Sequence, residues 1–306
     1  MNGKMYTNIY ILGGFAMFGP TIEMIREGKK IKIKDLCDGI VTRAAYHRFA
    51  SGQTDTSIHN LSLFMDRLHI SPNEFFLIHS DYASDKVVCF LKELSRAYRV
   101  QNIQELRSLR KKLEADFTGL KNEHMTDLLN FRICRLLGQD IDGKKSSLFK
   151  YLISTEFWTH YELVLFTNSM YVFSLELIDA ILIRCIQRFN KYSQTRPYGN
   201  EGFRLVVNAL ILAFEQKDSF YTTKWIDLLN TIQLNDSDFF EKALFKIFKG
   251  FYDITIHKDQ NSISEVIKTI EFVGHIEARE HEVMFNRMLD FILEHSGLEK
   301  VHSLKI

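Results

Sequence analysis

The chain has 306 residues, 46% hydrophobic and 25% charged, with 39 basic against 38 acidic side chains for a formal net charge of +1. That composition belongs to a globular protein with an apolar core, one large domain or two ordinary ones. It argues against a globally basic nucleic-acid coat, so any affinity for DNA must come from a local face. Cys37, Cys89, Cys134 and Cys185 lie far apart with no CxxC spacing, which argues against a zinc knuckle or thioredoxin-type site and predicts reduced thiols in a cytoplasmic protein.

Residues 1–18 read as an N-terminal extension. The run from Ile9 to Phe18 is apolar but too short to span a bilayer, only Lys4 precedes it, and no small-residue cleavage site follows. No other run is long and apolar enough for a membrane helix, and Met17 offers an alternative translation start. Proline occurs only at 20, 72 and 197, leaving long stretches free to be helical.

Residues 19–80 predict a small helical domain. The first helix runs from about Pro20, suited to a first turn, to Lys29, with Ile22 and Ile25 facing inward. Lys29, Lys30, Lys32 and Lys34 cluster, as a place to meet phosphates, before a short second helix over 34–38, closed by Gly39. Thr42 then caps a third helix, in which Tyr46 and Phe49 turn to the core. Arg43, Ala44, His47 and Arg48 fall mostly on its other side, and Gly52 ends it. The fourth helix begins near Thr56 and buries Leu61, Phe64 and Leu68. Ser71 caps the fifth, with Pro72 first and Glu74 third, close to a capping box.

Residues 81–306 predict a helical array. The helix pairs are 84–98 with 101–117, 121–138 with 144–154, 157–170 with 174–193, 200–216 with 219–232, and 236–252 with 260–273, followed by a terminal helix near 277–296. The breakers are Gly138, Asp140–Gly143, Pro197–Gly199, Asn235–Asp236, Gly250 and Gly274. Pairs recurring every 38–40 residues indicate a tetratricopeptide-like solenoid, whose concave side is an extended binding surface. The fold class is therefore all-α: an N-terminal helix-turn-helix domain followed by a helical-repeat solenoid. Asn130, Asn168 and Asn208 recur at corresponding places in successive first helices, 38 and 40 residues apart. Asparagine is a poor helix-interior residue, and a row of them offers donors and acceptors to the main chain of an extended peptide. Internal helix–helix bonding explains the same spacing equally well.

The order of short helices, tight turn and basic helix ending in F-x-x-G resembles the phage-repressor helix-turn-helix. FGPTIEMIREGKK, KIKDL, VTRAAYHRFASG, the run from Ser57 to Leu68 and ISPNEFF resemble more closely the Rgg (also GadR or MutR) regulators of Gram-positive bacteria. WTHYELVLFTNSM (158–170) extends the likeness into the array. The resemblance implies a dimeric transcriptional regulator whose third helix enters the major groove. It places Arg43, Ala44 and Arg48 where bases are contacted, with Thr42 and His47 beside them, and Lys32 and Lys34 near phosphates. It implies a short signalling peptide in the concavity of the repeats, met by Asn130, Arg132, Arg135, Asn168, Asn208 and Lys246. Phe131, Phe166, Tyr171, Phe173 and Phe245 are assigned mainly to core, a minority lining the groove. It further implies a homodimer built through the C-terminal repeats, with promoter DNA and RNA polymerase as partners.

Two positions depart from the family pattern. Thr42-Arg43-Ala44 stands where Ser-x-Ser is frequent, removing a second hydroxyl. Ala50 stands where a glutamate often pairs with an arginine of the first helix, so Arg26 is exposed, paired elsewhere or free to reach phosphate.

Enzyme signatures are missing from the sequence. His281-Glu282 begins like a zincin, but Phe285 occupies the second histidine position. There is no Walker loop, GxGxxG or GxSxG, and the spacing of His47, His59, His69 and His79 is not that of metal ligands. No cofactor, metal site or membrane association is expected. Two alternatives remain open: a helical interaction scaffold with a degenerate DNA domain, and a regulator sensing a ligand other than a peptide.

Overall fold

The computed structural model describes residues 17–83, 85–192 and 200–298, the side chains of 186–192 excepted. The expected extension up to residue 16 and the breaker at Pro197–Gly199 lie outside the described residues. The chain divides into two compact units, residues 1–93 and 94–306. Among the described residues every regular element is helical.

The first unit holds α1 (Phe18–Gly28), α2 (Ile33–Cys37), α3 (Arg43–Ala50), α4 (Ile58–Arg67) and α5 (Pro72–His79). Each start after α2 has its cap: the side-chain oxygens of Thr42, Ser57 and Ser71 accept from the backbone N–H groups of Ala45, Asn60 and Glu74 at 3.1–3.2 Å. Gly39 and Gly52, at φ +68° and +73°, take the left-handed turns that follow α2 and α3. The core is Ile22, Leu36, Tyr46, Phe49, Phe64, Leu68 and Phe75, each at most 3% exposed. Helix α1 starts two residues before Pro20. At Gly19 it packs directly on the backbone of α3, where a Cβ would lie 1.7 Å from the Phe49 carbonyl oxygen.

Helix α6 (Lys86–Arg99) crosses the boundary between the units. Then follow α7 (Ile103–Asp116), α8 (Gly119–Leu136), α9 (Ser147–Ser154), α10 (His160–Ser169), α11 (Leu175–Tyr192), α12 (Glu201–Glu215), α13 (Ser219–Asn230), α14 (Phe239–Tyr252), α15 (Gln260–His275) and α16 (Arg279–Ser296). Helix α8 packs on α9 and α10, α12 on α13 and α14, and α14 on α15, so first helices lie against first helices in a layer, α8 beside α10 and α12 beside α14.

Polar ties between repeats span about one repeat length, a consequence of equivalent positions stacking. Asn200 donates to Asp238, and Arg204 reaches Glu241 at 2.8 Å. Asp179 accepts from Lys224 at 2.6 Å and from the buried Trp225 indole at 3.0 Å. At the ends of the array, Arg99 of α6 pairs with Glu280 of α16.

Three details differ from the sequence reading. Gly250 and Gly274 do not break helices. Both are helical, and a Cβ would lie 2.2 Å from Val266 Cγ2 and 2.5 Å from the Glu282 carboxyl respectively, so glycine serves close packing there. The reciprocal capping box is absent at Ser71 and present at Thr159, whose backbone N–H donates to Glu162 while its hydroxyl accepts from Tyr161 N. Helix α14 also runs on into a π-helical turn, Asp253–His257, which hydrophobic periodicity did not mark.

Candidate DNA-reading face and ligand recess

Helix α3 separates its two faces cleanly. Tyr46 and Phe49 are buried, while Thr42, Arg43, Ala44, His47 and Arg48 are all exposed. The exposed set holds two guanidinium forks and an imidazole within two turns, on a helix whose N-terminus Thr42 has capped. Lys30, Lys32 and Lys34 are exposed beside it. Lys29 is not available to phosphate: its ammonium caps the C-terminal carbonyls of Leu68 and His69 after α4. Arg67 likewise closes α2 by donating to the Leu36 carbonyl at 2.8 Å.

Of the three fates open to Arg26, the structure shows pairing elsewhere. Its Nε and one terminal nitrogen grip the Glu23 carboxylate at 2.7 and 2.8 Å, and the other terminal nitrogen donates to the Ile31 carbonyl at 2.6 Å. Tyr46 of α3 donates its hydroxyl to the same carboxylate at 2.5 Å. One turn of α1 therefore replaces the interhelical Arg–Glu pair, and Tyr46 latches α3 to it. The hydrogen bonds from Arg26 hold the Glu23 carboxyl below its ordinary pKa. Burial, reinforced by Glu23, pushes the Tyr46 phenol well up, so it stays a donor at every working pH.

In the second unit the three asparagines differ. Asn130 on α8 accepts from Arg110 at 2.7 Å. Asn168 donates to the Val164 carbonyl one turn back at 2.8 Å, leaving its own carbonyl oxygen available. It lines an open recess of about 160 Å³ with Leu163, Val164, Thr167, Glu201, Arg204 and Leu205. Asn208 on α12 is half-buried. The recess therefore takes in one asparagine of the expected row. It adds Glu201, paired with His160 at 2.8 Å, and Arg204. Sequence reading missed both, although the polar pairs at 160/201 and 204/241 stand roughly one repeat apart.

Arg132 and Arg135 do come together, flanking one ring: their guanidinium carbons lie 5.4 and 4.6 Å from the Tyr171 centroid, and Arg132 also lies 4.8 Å from that of Tyr98. Lys246 sits apart on α14, paired with Glu265 at 3.3 Å. Phe131, Phe166 and Phe173 are core, whereas Tyr171 and Phe245 are half-buried. Among the described residues no cluster of histidine, cysteine or acidic side chains has metal-site geometry, and no helix is long and apolar enough to cross a membrane.

The model for the C-terminal domain of the HTH-type transcriptional regulator Rgg matches residues 104–286, more than half of the chain. The chain belongs to the Rgg family of HTH-type transcriptional regulators. Solved structures share its fold across nearly their whole length. A candidate transcriptional regulator from Listeria monocytogenes EGD-e superposes with a TM-score of 0.79 at 18% identity, covering 94% of this chain and 100% of that one. The SHP pheromone receptor Rgg2 of Streptococcus dysgalactiae gives 0.68 at 17% identity over 89% and 98% of the two chains. PrgX in its complex with cCF10 gives 0.64 at 15% identity over 90% and 92%. At these identities the likeness is one of architecture, a helix-turn-helix domain joined to a tetratricopeptide-like array, and it agrees with the two units described above.

Proposed function

We propose that this Rgg-family regulator binds promoter DNA through α3 and is controlled by a short signalling peptide held on the first-helix layer of its repeats. The observation that carries the DNA reading is the exposed face of α3, held in place by the Tyr46–Glu23–Arg26 latch. Arg43 and Arg48 supply bidentate donors to base edges, and Ala44 gives close approach. Thr42 and His47 flank them, and Lys32 and Lys34 meet phosphates. A single α3 reads a short half-site, so the working form is a homodimer reading two. The protein acts in the cytoplasm, on the promoter and with RNA polymerase, as a regulator and not as an enzyme.

The peptide reading draws support from a pheromone receptor and a complex of PrgX with cCF10 among the structures of the same fold. In this chain the recess at Asn168, the half-buried Asn208 on α12 and the Arg132–Arg135 pair offer main-chain hydrogen bonding and charge recognition. Asn130 and Lys246 contribute by exchanging surface partners. Peptide acts only through unequal affinity for two arrangements of the repeats.

The test is binding to the DNA upstream of its own gene and neighbouring genes across salt concentrations, for wild type and the Arg43→Ala/Arg48→Ala variant, with and without peptides encoded nearby. Sequence-selective, salt-sensitive binding that the double variant loses supports the DNA reading. Selective DNA binding that no such peptide alters, with the free protein fully active, overturns the peptide reading. A folded dimer with no selective binding favours the scaffold.

A further inference from the structure

The Arg135 guanidinium is held in an unusual way. One of its terminal nitrogens donates to both carboxylate oxygens of Glu215, at 3.1 and 3.0 Å. The two residues are 80 positions apart. Arg135 is on α8 and Glu215 on α12, so the bond skips the repeat that α10 begins. Glu215 is also the last residue of α12, where the helix dipole disfavours an anion. It is therefore a carboxylate placed against its own helix's preference and kept there by Arg135.

The receiving side has unused capacity. Arg132 lies beside Arg135 over the same Tyr171 ring, and the Arg132 Nε and the Tyr171 hydroxyl are both buried donors without a protein acceptor. Buried donors in such a position are destabilising unless an acceptor reaches them. Burial raises the Tyr171 pKa to about 12, so its hydroxyl remains a donor near neutral pH. Two guanidiniums and a phenol gathered around one ring suit a planar, doubly accepting anion, and a carboxylate is such an anion.

We infer that Arg132, Arg135 and Tyr171, backed by Tyr98, form a carboxylate-receiving site whose Arg135 arm Glu215 holds in the free chain, so that an acidic group of a ligand that takes Arg135 displaces Glu215 and releases α12 from α8. The inference rests on the reading of the first-helix layer as the ligand face, and it adds a switch to it. Glu215 acts as an internal competitor, and the salt bridge that opens on binding is one that ties non-adjacent repeats together. A neutral ligand lacks the means to break that tie. The affinity of the site for a free carboxylate is lowered by the fraction of time that Glu215 holds Arg135.

The experiment uses the full chain labelled with ¹⁵N-arginine and acetate as the probe, with Arg132 and Arg135 side-chain signals assigned from Arg132→Lys and Arg135→Lys variants. In Glu215→Gln, acetate is expected to shift both Nε–Hε signals saturably, while chloride at equal ionic strength does not. The midpoint should lie about fivefold below that of wild type, the factor expected for removing a half-exposed internal competitor. Arg135→Lys in the Glu215→Gln background should weaken the response. Absence of a saturable acetate shift in Glu215→Gln, or a midpoint equal to that of wild type, overturns the inference. The titration involves neither DNA nor peptide. A failed carboxylate site therefore shows itself here, and a failed peptide reading shows itself only in the DNA-binding assay.

Discussion

Glu23→Gln tests whether the latch beneath α3 holds that helix in place. The carboxylate accepts two bonds from Arg26 and one from Tyr46, and the amide keeps only one acceptor oxygen, setting a donor against a donor. Breaking a fully buried pair by removing one partner costs about 3–5 kcal/mol. Arg26 is 12% exposed and Glu23 26%, so solvent relieves part of that, and about 2 kcal/mol is expected. Hydrogen exchange by mass spectrometry on the segment 43–50 reads this directly, as protection lowered about 30-fold for amides that exchange through opening of this unit. Tyr46→Phe should cost about half as much, and the double variant less than the sum, because both remove the same bond. The pH dependence has a fixed sign. Glu23 is held below its ordinary value of 4.5 by Arg26, so its contribution is complete above that pH and is lost as pH falls through the folded-state value. Glu23→Gln should therefore flatten the acid limb of the first unit's stability. A loss of protection under about threefold, or strict additivity with Tyr46→Phe, would refute the latch. On the DNA reading proposed above, the folded fraction of Glu23→Gln at low temperature should keep wild-type selectivity, because the exposed face of α3 is untouched.

Two further outcomes concern the repeats. Gly250→Ala places a methyl 2.2 Å from Val266 Cγ2, an overpacking cost of about 1–3 kcal/mol that the helix propensity of alanine offsets by about 1 kcal/mol. Calorimetry should show a lowered Tm, with Val266→Ala costing less in the Gly250→Ala background than alone; equal costs would disprove the close approach. Asp179→Ala strips the acceptor from the fully buried Trp225 indole and the partner from Lys224, and should cost about 1–3 kcal/mol in urea unfolding followed by Trp fluorescence. Asp179→Asn keeps an acceptor and should cost less than half of that; equal losses would point to packing instead of the hydrogen bond.

Much of the architecture was legible because it is local. The caps at Thr42 and Ser71, the left-handed glycines at 39 and 52, and the apolar faces around Tyr46, Phe49 and Phe64 are set by residues within a few positions of one another. The order of helices in the array followed from the same periodicity. The misreadings came where a residue has two uses. Glycine at 250 and 274 ends helices in isolation, yet within a packed array its missing side chain admits a neighbour. Lysine at 29 reads as one of a phosphate-facing cluster until the end of α4 arrives beside it.

By itself, then, the sequence determined the order of helices and the exposed basic face of α3, since these depend on short-range periodicity and capping. Only the tertiary structure decided where the charges go. Arg26 turns to Glu23 on its own helix and recruits Tyr46, Asn130 is taken by Arg110, and Lys246 by Glu265. Arg135 reaches across 80 residues to Glu215. A guanidinium's partner is set by distance in space, and in this stacked array Arg204 and Arg135 find theirs a repeat or two away.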